Sequence, residues 1–221
     1  MKKLLGEFLG TLTLVAIVVG SGIMATSLSQ DVGVQLLINT ISTVFGLLVL
    51  IQIFAPISGA HFNPVVTMVD LIERKVNFSQ FIQYATVQIL GAVSGAVLAN
   101  AMFDHPLIET ATKLRSGGNL YLGEIVATAG LILIINLLVK QEKLTLIPVM
   151  VAAWIGSAYF FTSSTSFANP AVTIGRTLSD SFAGIAPSCA PRFIAAQILG
   201  ALIGLGLTKV LTKESLPPLL K

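Results

Sequence analysis

The sequence predicts an all-α membrane protein with six transmembrane helices and two re-entrant half-helices, arranged as an inverted 3+3 repeat. Three observations predict it. The 221 residues are 54% hydrophobic and only 10% charged, whereas a soluble domain carries about 25% charged residues. Six apolar segments approach the ~20 residues that cross a bilayer as helix. Landmarks of the first half return in the same order in the second.

The first segment, residues 4–28, follows Met1-Lys2-Lys3. A basic end before an apolar run resembles a signal peptide. Glu7 interrupts that run early and the run is long enough to span, so it reads as a retained first helix. The other spans are 34–54, 81–103, 120–139, 144–161 and 193–207, and only Glu7 and Glu124 put charge inside the six. Hydrocarbon offers no partner to a free backbone, so each span must be helical. Polar clusters at 29–31, 73–79, 104–119 and 140–143 mark the connections. No soluble domain interrupts them, and residues 1–221 read as one membrane domain.

Two further segments, 63–72 and 169–178, are too short to span. Each starts with Asn-Pro. Asn caps a free N–H and Pro lacks one, so both suit the start of a half-helix. Gly6-Glu7 recurs as Gly123-Glu124, Asn63-Pro64-Val65-Val66-Thr67 as Asn169-Pro170-Ala171-Val172-Thr173, and Gln88-Ile89-Leu90-Gly91-Ala92 as Gln197-Ile198-Leu199-Gly200-Ala201. Repeat one covers about 1–110 and repeat two about 118–215. Three spans per repeat force the second to enter the membrane from the opposite face. With both termini cytoplasmic, nine basic residues lie inside (Lys2, Lys3, Arg74, Lys75, Lys140, Lys143, Lys209, Lys213, Lys221) and four outside (Lys113, Arg115, Arg176, Arg192). The excess favours that orientation.

Inversion brings the two half-helix N-termini together near the midplane. Each carries roughly +0.5 of a charge, so the pair opposes passage of cations and protons. The amides of Asn63 and Asn169 offer hydrogen bonds to a neutral solute. Carbonyls of Gly59, Ala60, His61, Ser166, Phe167 and Ala168 are expected to line the lumen, since irregular backbone at this depth must be buried or face water.

The segments Ser58-Gly59-Ala60-His61-Phe62-Asn63-Pro64-Val65 and Phe167-Ala168-Asn169-Pro170-Ala171, set between six spans, resemble the major intrinsic protein family of aquaporins and glycerol channels. The resemblance covers nearly the whole chain. It implies a passive channel for water and small neutral solutes, a homotetramer with one pore per subunit, and a bacterial inner membrane. It also implies that Glu7 and Glu124 are buried carboxylates holding the re-entrant loops. Val65 departs from the family's usual Ala, and its methyls are expected to pack behind the turn.

The resemblance carries the four positions of the family's outer filter onto Thr43, Ser157, Ser166 and Val172. These lie twenty before Asn63, then twelve before, three before and three after Asn169. The family usually has arginine at the last position. Val172 therefore implies a wide, neutral constriction passing glycerol, urea or neutral trihydroxy-metalloids such as arsenious acid. Bacterial members with a similar Phe-Ala-Asn-Pro-Ala-Val-Thr motif are associated with metalloid handling. Arg176 lies one turn beyond Val172, about 6 Å further out. It either places positive charge in the outer vestibule, or snorkels to headgroups or pairs with Asp180. His61 orients its turn or senses pH. Gly91, Gly95, Gly200 and Gly204 suit close helix crossing in lipid.

Two other readings stay open: a strict water channel, and a secondary transporter on the same kind of repeat, for which Asp70 is the only acidic residue in a half-helix. No Ser/His/Asp or paired-Asp constellation supports an enzyme. One cysteine, Cys189, and two histidines are too few for a metal site, and no cofactor is expected. No basic patch interleaved with aromatics invites nucleic acid.

Overall fold

The computed structural model describes residues 1–212, and they are helical with no strand among them. Lys213 and Lys221, used in the charge comparison, and the end of the second repeat lie outside the described residues. The order is α1 Lys2–Leu28, α2 Val32–Ser58, α3 Pro64–Ile72, α4 Phe78–Met102, α5 Gly118–Lys140, α6 Ile147–Phe161, α7 Pro170–Gly175 and α8 Ala190–Leu211. A 3₁₀ turn, Leu144–Leu146, leads into α6, and another, Arg176–Leu178, continues α7. Six of the described helical segments are long and apolar enough to cross a membrane.

Several spans run a turn beyond their apolar stretch, because caps rather than hydropathy set their ends. Asp31 accepts the Val34 N–H at the start of α2. Asn77 and Gln80 form a reciprocal capping box at the start of α4. The far end of α2 continues through Pro56 and stops at Gly59, whose φ of 94° is the left-handed value that glycine adopts freely.

The long helices pair through small residues. A side chain at Gly91 or Gly95 of α4 would strike backbone of α1 at Phe8 and Leu12. The second half repeats the device, with Gly200 and Gly204 of α8 against Ile125 and Ala129 of α5. Lipid is as apolar as leucine, so close backbone approach rather than water exclusion holds such pairs. The lipid-side faces remain apolar. On α2, Leu37, Ile41, Phe45, Val49, Ile53 and Ile57 recur every fourth residue and are all exposed. α3 and α7 sit inside this cage, and their N-terminal turns meet at its centre.

Candidate functional site

Each half-helix starts as its Asn-Pro pair dictates. The Asn63 Oδ1 accepts from the Val65 N–H at 3.1 Å, and the Asn169 Oδ1 accepts from Ala171 and Val172 at 2.9 and 3.2 Å. The amides then cross between halves. Asn63 Nδ2 donates to the Ala168 carbonyl, and Asn169 Nδ2 to the Phe62 carbonyl, both at 2.8 Å. One hydrogen of each amide thus locks the opposite loop, and each retains a second.

The loops before the two Asn residues hold an uncommon backbone. Ala60 and Phe62 in one, and Thr165, Ser166 and Ala168 in the other, have φ between 48° and 62°. That is the left-handed region, costly for residues with a Cβ. Two carboxylates hold them there. Glu7 accepts from the N–H groups of His61 (3.0 Å) and Phe62 (2.7 Å), from Ser58 Oγ and from Gln88 Nε2. Glu124 accepts from the N–H groups of Phe167 and Ala168, both at 2.9 Å, and from Gln197 Nε2. Gln88 and Gln197 also donate to Thr67 and Thr173 on the half-helices. Every acidic oxygen is occupied by a donor, so both carboxylates act as fixed acceptors. The two glutamines thus tie each carboxylate to its half-helix, and the sequence marked them only as part of a repeat.

A cavity of about 370 Å³ runs past both Asn residues, from Lys75 and Leu144 at one end to Arg176 at the other. Gly59, Ala60, His61, Phe62, Ser166, Phe167 and Ala168 line it. The opposite wall is apolar, built by Leu14, Val18, Leu47, Ile51 and Val151. Thr43, Ser166 and Val172 also line it and are buried.

Ser157 does not. It is exposed on the outer face of α6. The lining residues of α6 are Ile147, Pro148, Val151, Ile155 and Tyr159, and Ile147, Val151, Ile155 and Tyr159 are spaced by four as one helical face requires. Position 157 falls on the other side. Tyr159 occupies the place expected of Ser157, and its hydroxyl donates to Thr43 Oγ1 at 3.3 Å. The wall beside Thr43 therefore carries a phenol in place of the serine hydroxyl expected there. Counting along α6 from Ile155 would have found Tyr159.

Arg176 neither snorkels nor pairs with Asp180. It is 2% exposed, lines the cavity, donates through Nε to the Ala183 carbonyl, and lays its guanidinium 3.4 Å over the centre of the Phe167 ring. Asp180 accepts from Thr112 instead. Arg115, which sequence reasoning treated only as a loop charge, is buried beside the same ring at 5.1 Å. At the other mouth Asp70 bonds His61 (3.3 Å) and Lys75 (3.1 Å), and Lys75 also reaches Glu73. His61 is further fixed by Thr67 at 3.0 Å.

Six spans, two broken helices meeting end to end and a cavity crossing their junction define a channel-type membrane protein. The major intrinsic protein family model matches residues 1–166. Aquaglyceroporin AqpS of Rhizobium meliloti (strain 1021) is 41% identical over 216 residues, covering 98% of this chain and 92% of that one. Aquaporin NIP3-1 of Arabidopsis thaliana is 28% identical over 160 residues, 66% of this chain and 47% of that one. The X-ray structure of the aquaglyceroporin from Plasmodium falciparum superposes with a TM-score of 0.71 at 21% identity, covering 96% of both chains. This chain belongs to the major intrinsic protein family.

Proposed function

We propose that the protein is a passive channel for water and small uncharged solutes, with glycerol, urea and neutral metalloid acids such as arsenite in its range. The observation that carries this is the two-faced cavity. Carbonyls and the two Asn amides line one wall, and aliphatic side chains line the other. A small polyol or trihydroxy acid matches such a surface, because its hydroxyls replace water's hydrogen bonds on one side only. Val172, where the family usually carries arginine, leaves the constriction without a guanidinium at that position and widens the range beyond water. The similarity to an aquaglyceroporin supports the glycerol part of the reading.

The channel works as a homotetramer, one pore per subunit, with both termini cytoplasmic in a bacterial inner membrane. Apolar stripes such as that on α2 supply surface for lipid and for neighbouring subunits. Its two repeats, about 1–110 and 118–215, form one domain. Asp70 is held by Lys75 and His61, which argues against a free carboxylate of the kind a coupled transporter needs. Proteoliposome swelling with glycerol, urea and arsenite tests the proposal. Water flux without solute flux would leave a strict water channel.

A further inference from the structure

The two mouths of the cavity are built on equivalent positions of the repeat but finished differently. Asp70 and Arg176 lie equally far past Asn63 and Asn169. Each reaches back to the residue two before its own Asn: Asp70 to His61, and Arg176 to Phe167. The acidic end is neutralised within the chain by Lys75 and His61. The basic end is not.

No carboxylate among the described residues pairs with Arg176 or Arg115. Glu124 is nearby, but its oxygens accept from Phe167, Ala168 and Gln197. Asp180 is taken by Thr112, and Glu109 by His105. Arg115 spends Nε on the Gly184 carbonyl (2.9 Å) and Nη2 on Phe182 (3.3 Å), and Lys113 donates to Phe182 as well. Arg176 spends only Nε on protein, which leaves both its Nη groups without an acceptor among the described residues. Ser166, one residue before the Phe167 ring that Arg176 covers, also lines the cavity and has a buried hydroxyl with no partner.

We propose that Arg176 and Ser166 form a binding site for one small monovalent oxyanion of the carboxylate type, supported by the positive charge of Arg115. A buried guanidinium without a counter-charge is unfavourable. Its flat fork of N–H groups matches the two oxygens of a carboxylate. Tyr159 and Val172 line the cavity with it, and formate is the smallest carboxylate that can probe the fork. A bound anion lies in the path of neutral solutes, so it blocks them from this mouth.

The flux part of the test rests on the channel reading, and the melting part does not. In proteoliposomes, about 10 mM sodium formate in place of sodium chloride should slow glycerol entry about twofold, the range for one carboxylate held by a few charged hydrogen bonds. Arg176→Gln should abolish the difference. Arg176→Lys, which keeps the charge without the fork, should retain part of it. In detergent, the wild-type protein should melt at higher temperature in formate than in chloride, and Arg176→Gln should not. Equal glycerol rates together with equal melting in the two salts, on wild-type protein alone, overturn the proposal whether or not the variants fold. A melting difference in a protein that passes no glycerol upholds the site and overturns the channel reading.

Discussion

At the scale of single residues, Glu7 and Glu124 accept from the backbone of the two loops that line the cavity. Each is fully buried and faces donors only. An amide in place of Glu124 would turn its NH₂ toward an N–H that has no other acceptor. Glu124→Gln should cost about 2–4 kcal/mol, the range for losing a charged hydrogen bond and stranding a buried donor. Thermal melting in detergent checks it, and solute flux should fall with it. In the sequence these carboxylates stand out as the only charges inside spans, and the holding role came with the family resemblance. The sequence did not show Tyr159, because a residue count from Asn169 ignores the pitch of α6. Tyr159→Ala should therefore raise urea and glycerol flux several-fold, while Ser157→Ala should leave both unchanged. The same flux in both variants would contradict the placement of the constriction.

At the scale of elements, the half-helices and the glycine-lined crossings were both legible. Asn-Pro announced the start of α3 and α7 through capping chemistry that is local to the dipeptide. Glycines spaced by four marked the contact faces of α4 and α8. Gly95→Val places a branched side chain into α1 backbone that has no room for even a Cβ. Such a variant should yield little monodisperse protein on size exclusion, whereas Gly206→Ala, which meets nothing nearby, should behave as wild type. The end of α7 was not legible. The 169–178 segment was read as one half-helix, yet the α-helix ends at Gly175 and a 3₁₀ turn follows. The following loop returns on it: Ile185 N–H donates to the Arg176 carbonyl, and the Ala183 carbonyl takes Arg176 Nε. That contact is long-range and leaves no local signal.

At the scale of the whole molecule, inversion of two similar halves explains why one cavity passes both Asn turns. The odd number of spans per half and the repeated landmarks made that arrangement legible in the sequence. The unequal mouths were not readable, because they depend on which side chains fold back on His61 and Phe167. A cage held by small residues and crossed amides presents a fixed path rather than a moving one, so conduction should be passive. The most direct measurement is stopped-flow solute entry into proteoliposomes for water, glycerol, urea and arsenite, with Val172→Arg alongside wild type. Entry of water and at least glycerol, linear in concentration and indifferent to sodium or proton gradients, with solute entry but not water cut about tenfold or more in Val172→Arg, as a new guanidinium filling the constriction would require, is the predicted result. Entry of water alone, or solute entry that saturates and follows an ion gradient, would contradict it.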